Sequence, residues 1–362
     1  MGELKILPGR QQVVEQVQGI RAWAVAKVEK QRTQLAVGVV LSLLGLALTF
    51  RNVCFSRLLR ALAEADYVLV TIALAVNLLA FGATAMRWQL LFLPHRAPRF
   101  SQLFSGLMVA QLANTALPAH LGIVVRAYWI GEMGGVSKTF TLGTIVLEKV
   151  VEGVTLVPLL ALLPLLSPSS LGVQQAGWTL GAALVVLALV IVLLNRYKES
   201  FSRFLAASLS SFSVLGPLRL PEHLTSLIEG FGALRAKEVW APIWGWSMGT
   251  WATIALSYYL ALRSFGIQVP LLATLLLLIV LQVGAPVPAL PSSLGVFHYL
   301  VVLTLSPFLV DKDLAVSYAL VLHAMIFLIP SLLGVFCLWR AHWGLGRLWN
   351  LEAVPKSGSV DG

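Results

Sequence analysis

Charge is what this sequence has least of. Asp, Glu, Lys and Arg make up 12% of its 362 residues, where a soluble domain carries roughly a quarter. That leaves too little polar surface to cover a water-facing body of this size, which excludes a soluble enzyme or binding module. Acidic residues are scarcer than basic ones, 16 against 26, for a net charge of +10. The Lys and Arg fall in short segments between apolar runs and form no basic module. The pattern excludes nucleic acid as a partner and suits phospholipid head groups. There are two cysteines, Cys54 just past the first apolar run and Cys337 near the far end of the last. The topology derived below puts them at opposite faces, so no disulfide is expected. No Gly-rich phosphate loop is present, and the sequence calls for no cofactor and no metal. The N-terminal stretch lacks a short cleavable apolar core, so no signal peptide is expected.

What is abundant is apolar: 58% of the chain. Runs such as 33–50 and 178–194 approach the roughly 20 apolar residues that one bilayer-spanning helix needs. The expected fold is an all-α polytopic membrane protein. Its apolar segments are 33–50, 67–86, 101–117, 120–131, 139–166, 175–194, 239–262, 271–290, 293–306 and 314–339. Two pairs among these are short. The first pair meets at 114–122 around Pro118 and Gly122, the second at 284–295 around Pro291 and Gly295. Pro removes a backbone donor and Gly loosens a helix, so each junction reads as the tip of a helical hairpin. The reading is six full spans plus two hairpins, re-entrant or paired short spans. Residues 1–32 form a cytoplasmic amphipathic segment, 33–340 one membrane domain with a cytoplasmic loop at 195–238, and 341–362 a cytoplasmic tail.

Each hairpin counts as an even number of crossings, so the six spans fix the orientation. With both termini cytoplasmic, only Arg51, Arg57, Arg60, Arg263 and Lys312 fall outside, Lys149 lies within a span, and every other Lys and Arg is inside. The positive-inside bias selects this orientation. The three arginines at 51–60 run against it, balanced in part by Glu64 and Asp66. Val13, Val17, Ile20, Ala24 and Val28, and again Leu224, Leu227, Phe231 and Leu234, recur at helical spacing among polar residues. Such helices lie on the inner leaflet or pack against the bundle.

Leu117-Pro118-Ala119-His120-Leu121-Gly122 and Leu290-Pro291-Ser292-Ser293-Leu294-Gly295 share four of six positions. A span ending in Arg87 precedes the first, and a span ending in Arg263 precedes the second. The units 67–166 and 239–339 then run in opposite directions through the membrane, as in transporters whose inverted repeats bring two broken-helix tips to the bilayer middle.

Three ionisable residues stand where few are tolerated. Glu148, Lys149 and Glu152 lie mid-span, with Glu148 about 14 Å along its helix, where an ionised side chain costs about 3 kcal/mol on insertion scales. Glu148 and Glu152 share a face at i and i+4, and Lys149 and Glu152 are i and i+3 partners. They form either an internal ion pair or a pocket in which Lys149 meets an anionic group. His323 is as deep in span 314–339 as Glu148 is in span 139–166, which by symmetry places them near one another. It is either a core histidine or a proton-transfer group. Near the first tip stand Gln111, Asn114, His120 and Arg126; near the second, Gln282, Ser292, Ser293 and His298. Arg126 has the fork to clamp a phosphate, or it sits at the interface beside Tyr128 and Trp129. The candidate substrate-binding set is Arg126, Glu148, Lys149, Glu152, His323, Asn114 and Ser292. Trp88, Trp240, Trp244, Trp339 and Trp343 read as an interface belt.

Over about residues 35–340 the pattern resembles the flippase-like transmembrane domain of lysylphosphatidylglycerol synthetases, which also occurs as stand-alone proteins. The carriers are Arg87-Trp88, Leu117-Pro118 to Gly122 with Arg126 four residues on, Glu148-Lys149-Val150-Val151-Glu152, and Pro291-Ser292 to Gly295. This chain departs from the family pattern at Ala119, Ile123, Lys149, Glu152 and His298 or Tyr299. The resemblance implies translocation of polar lipids between leaflets of the cell membrane, with a phospholipid or lipid-linked partner. It does not imply lipid aminoacylation, because only about 20 residues follow the last span, so no enzyme activity is expected. Two other functions compete. An integral-membrane glycosyltransferase with a lipid-phosphate sugar donor would use Glu64 and Asp66, and a non-transporting scaffold would dock through loop 195–238.

Overall fold

The computed structural model describes residues 38–93, 95–116, 121–166, 226, 229–284 and 291–342. The expected segments at 1–32, 175–194 and 343–362, most of loop 195–238, and tip residues Pro118 and His120 lie outside them. All regular structure among the described residues is helical. The helices are α1 (Gly38–Phe50), α2 (Phe55–Glu64), α3 (Tyr67–Leu90), α4 (Phe100–Ala116), α5 (Gly122–Gly134) and α6 (Lys138–Leu166). They continue with α7 (Trp240–Ser264), α8 (Leu271–Gly284), α9 (Val296–Leu305) and α10 (Lys312–Arg340). Helices α3 and α10 are each long and apolar enough to cross a membrane, and α1 with α2 forms a third candidate bent by 84°. The outer surface is apolar too: Leu43, Val68, Leu79, Leu256, Leu303 and Phe336 are all exposed. That arrangement suits a lipid solvent.

Helix α3 starts where Asp66 accepts hydrogen bonds from the Val68 and Leu69 amides, which satisfies two of its orphan donors. It lies antiparallel along α7. Three bonds tie them: Asp66 N to the Ser264 carbonyl at 2.8 Å, Ser257 Oγ to the Ala73 carbonyl at 2.8 Å, and Arg87 Nη1 to Ser247 Oγ at 3.4 Å.

Helices α4 and α5 fold back on each other. Asn114 Oδ1 accepts from the Gly122 amide at 2.9 Å and so caps α5 across the tip, while Trp129 Nε1 donates to Ser105 Oγ at 3.1 Å farther down. A Cβ on Gly122 would stand 2.4 Å from that Asn114 oxygen. Helices α8 and α9 pair likewise. A short 3₁₀ turn, Pro291–Ser293, sits at their junction, with Ser292 and Ser293 in the left-handed region. Gly295 follows at φ 86, and a Cβ there would stand 2.1 Å from the Ser42 carbonyl oxygen of α1. The legs have 17, 13, 14 and 10 residues. At 1.5 Å per residue each is shorter than a hydrocarbon core of about 30 Å.

Buried side chains gather in two cores. One joins the end of α3 to α4, α5 and α6 through Trp88, Leu103, Met108, Trp129, Ile130 and Ile145. The other joins α7, α8, α9 and α10 through Trp251, Tyr258, Leu277, Phe297, Tyr318 and Leu322. Helix α10 spans both. It is interrupted by a π-turn, Ala324–Leu328, followed by Pro330, and Gln111 Nε2 of α4 donates to the Ile326 carbonyl at 3.3 Å inside that turn. Beyond it Ser331 Oγ donates to Thr115 Oγ1 at 2.9 Å, and a Cβ on Gly334 would meet the Met108 carbonyl at 2.4 Å.

Two regions differ from the sequence expectation. Residues 55–64, read as an outer loop, form α2, an amphipathic helix whose Leu58 is buried. Arg57 Nε lies 2.8 Å from Asp313 Oδ2, whose other oxygen accepts from the Cys54 amide at 3.0 Å. Asp313 therefore balances Arg57, while Asp66 is spent on the α3 cap. The described end of loop 195–238 packs on the bundle: Phe231 and Ala233 are in the first core, and a Cβ on Gly230 would stand 2.6 Å from the Phe140 carbonyl. Both cysteines are free.

Candidate functional site

The first core encloses charge. Glu148, projecting from α6, is 1% exposed, and Arg126, from α5, is 4% exposed. Arg126 Nη1 donates to Glu148 Oε1 at 3.2 Å and Nη2 to Oε2 at 2.5 Å, a bidentate fork. The Arg126 guanidinium carbon lies over the Trp88 indole, 3.4 Å from the ring centroid. Trp88 is fully buried and its Nε1 donates to Thr144 Oγ1 at 3.0 Å. This corrects its reading as an interface-belt residue, whereas Trp244 and Trp339 are exposed.

A third ionisable group completes the cluster. The apolar run stops at 86, so Arg87 read as the end of a span, but α3 continues to Leu90 and Arg87 has no exposed surface. Its Nη2 lies 3.9 Å from Glu148 Oε1. Arg87 Nε and Nη2 and Arg126 Nε are buried without a hydrogen-bond partner. Two guanidiniums thus meet one carboxylate directly in a water-excluded interior, with Glu152 one turn on close enough to interact with both. The signal in the sequence was an Arg-Trp pair at the edge of an apolar run, which periodicity alone assigns to the interface.

The other candidates divide. Lys149 Nζ donates to Glu152 Oε2 at 2.7 Å, with the two side chains 54% and 21% exposed. This local pair flanks the buried cluster, and Lys149 is held by a carboxylate of its own helix. Asn114 is the tip clamp described above, and Gly122 and Gly295 make the close backbone approaches at the two tips. Ser292 is buried, and its carbonyl oxygen lies 3.0 Å from His323 Nε2. His323 stands in the second core against His298, Phe297 and Phe327. No hydrogen bond or ion pair joins it to Glu148, so the structure does not bring those two together. Equal depth fixes height along the membrane normal but leaves the facing direction open, and His323 faces α9. Among the described residues no group of three or more His, Cys, Asp or Glu is placed to hold a metal.

No curated protein and no solved structure matches the chain. Residues 35–334 match the family described as the lysylphosphatidylglycerol synthase TM region. With the matched stretch taking in every helix from α1 to α9 and most of α10, and with a membrane-type helical fold around it, the chain belongs to that family.

Proposed function

We propose that this protein is a multi-pass cell-membrane flippase, moving an anionic or polar-headgroup lipid between leaflets past a polar site inside the bilayer. The observation that carries the reading is the Arg87–Arg126–Glu148 cluster, two buried guanidiniums for one carboxylate. A charge in a membrane interior is expensive unless it is matched, and such groups mark substrate paths. The excess positive charge and the unpartnered Arg87 nitrogens suit a phosphate-bearing head group, with the acyl chains left in lipid. Membership of a lipid-related membrane family agrees with this substrate class.

The architecture favours movement. Each half strings a long helix, two short legs and a second long helix, α3 to α6 and α7 to α10. The antiparallel packing of α3 on α7 and the matched glycines at the two tips, Gly122 and Gly295, support an inverted repeat. Broken helices in such repeats leave polar backbone where it lines a substrate path. The reading assigns no covalent chemistry to the chain. The glycosyltransferase alternative loses one of its two carboxylates, since Asp66 is the α3 cap. The scaffold alternative is not favoured by a loop whose described end is packed on α6.

The test is reconstitution into liposomes with tail-labelled phosphatidylglycerol and dithionite quenching of the outer leaflet. Quenching beyond half of the label, faster than in protein-free liposomes, is expected. A rate equal to the protein-free background overturns the reading.

A further inference from the structure

The second core holds a polar pair outside the Arg87–Arg126–Glu148 cluster. His298 on α9 is 2% exposed, and its Nδ1 is buried without a hydrogen-bond partner. His323 on α10 stands where the helix enters its π-turn, and its Nε2 donates to the Ser292 carbonyl at 3.0 Å. Ser292 presents that carbonyl from the left-handed region, at φ 59. The two imidazole centroids are 4.9 Å apart with a 31° interplanar angle. Phe297 touches both rings, at 5.7 Å from His298 and 5.2 Å from His323, and Phe327 lies 4.6 Å from His323.

The same two phenylalanines line a cavity of about 50 Å³ together with Tyr258, Gln282 and Ser293. These two side chains thus touch both the cavity and His323, and Phe297 touches His298 as well. The volume suffices for ordered water, and the Tyr hydroxyl, the amide and the Ser hydroxyl are partners for it.

Among the described residues no carboxylate or cation pairs with either imidazole. The uncharged titratable groups on the packed helices are Tyr258 and Tyr259 on α7, Tyr299 on α9, and Tyr318 and Cys337 on α10. Helices α1, α4, α8 and α9 carry no charged residue. The charges of α10 are at its ends, Lys312, Asp313 and Arg340, and that of α7 is Arg263 near its end. Arg87 of α3 and Glu148 and Glu152 of α6 are engaged in the contacts of the first site, as is Lys149. Among the described residues neither histidine forms an ion pair.

We propose that His298 and His323 together form a binding site for one proton, filled from water in the cavity past the Phe297 and Phe327 side chains. In loading, hydronium gives its proton to an unprotonated ring nitrogen. The nitrogen lone pair forms the N–H bond, and water remains in the cavity. The pair takes one proton and not two, because two imidazolium rings at this spacing repel strongly in a low-dielectric interior. Resting on the transport reading, this proton is the ion whose gradient drives the lipid.

The test has two arms. In the first, protein with ¹⁵N-labelled histidine rings, in phosphatidylcholine nanodiscs, is titrated by NMR, with His298→Gln and His323→Gln used to assign signals. The two rings are expected to shift together, taking up one proton between them, and Phe297→Ala should speed proton exchange with water several-fold. Rings that keep fixed neutral tautomers across the range, or that each take a proton independently, overturn the site. Should a Gln variant fail to fold, the two signals are assigned in the wild type from the contact between the two rings, 4.9 Å apart, and the titration is read on the wild type. In the second arm, lipid movement in proteoliposomes is measured under opposite pH gradients. The wild type should differ at least threefold between them, and His323→Gln should not. Movement that is equal in both gradients overturns the coupling. No wild-type movement at all, with a one-proton titration in the first arm, counts against the transport reading and leaves the proton site intact.

Discussion

Replacing Glu148 by Gln removes the one carboxylate that Arg126 and Arg87 share while keeping the side chain's shape. The pair is bidentate and its side chains are 5% and 1% exposed, which puts it with buried ion pairs, not with surface pairs worth a fraction of a kcal/mol. Removing one partner of a buried pair leaves an uncompensated charge and costs about 3–5 kcal/mol. Here the loss falls on two guanidiniums, only one of which, Arg126, has an aromatic face to lean on. Glu148→Gln is therefore expected to lower stability by an amount in that range, read from denaturant unfolding in detergent with tryptophan fluorescence. The triple variant Arg87→Met, Arg126→Met, Glu148→Leu removes all three charges and should recover at least half of the loss, because a hydrophobic replacement of a buried ion pair or triad is often neutral. A Glu148→Gln protein as stable as the wild type, or a triple variant no more stable than Glu148→Gln, refutes the assignment of a coupled buried cluster.

Further predictions follow from neighbouring geometry. Trp88→Leu removes the ring under Arg126 and the Thr144 hydrogen bond, so a loss of about 2 kcal/mol or more is expected in the same unfolding assay. Gly295→Ala places a Cβ 2.1 Å from the Ser42 carbonyl at φ 86, whereas a Cβ on Gly245 has nothing within 4 Å. Size-exclusion profiles should show the first aggregated and Gly245→Ala unchanged. The exposed Cys54 thiol is lowered to about 7 from the ordinary 9.0, first by its hydrogen bond to Ser56. Its thiolate therefore prevails above pH 7, so the rate of labelling by a membrane-impermeant maleimide should rise through pH 7 and level off near pH 8. Ser56→Ala should move that midpoint upward. In right-side-out vesicles the label should react from outside, and a reaction only after permeabilisation would contradict the orientation with α1 entering from the cytoplasm.

The long helices and the two hairpins were legible because they rest on composition and punctuation. Apolar runs name α3 and α10, and Pro with Gly marks each tip. Glu148 stood out because a carboxylate in an apolar run has few explanations. Other features depend on contacts that no local pattern encodes. Arg87 sits at the edge of its apolar run and becomes buried only because α6 and α7 pack over it. Helix α2 carries Arg57, Arg60 and Glu64 within ten residues, which ends the apolar run, although its Leu and Ala spacing is that of an amphipathic helix. Its position is fixed by Asp313, more than 250 residues along the chain. Lys149 read as a cation awaiting an anion, yet its own helix supplies Glu152 one turn on. The depth of His323 was readable, but its direction was not. The π-turn at Ala324–Leu328 shifts the register of α10 beside it, and no residue pattern announced that turn.

If the buried Arg87–Arg126–Glu148 cluster passes lipid head groups across the bilayer, as proposed, loss of one guanidinium must slow lipid movement. The most direct test is the movement of tail-labelled phosphatidylglycerol in proteoliposomes by the wild type and by Arg87→Gln, each first shown to be folded by its size-exclusion profile. The wild type should move the lipid faster than the protein-free background and Arg87→Gln at least tenfold more slowly than the wild type, corresponding to about 1.4 kcal/mol of lost interaction. A folded Arg87→Gln protein that moves the lipid at the wild-type rate would contradict the proposal.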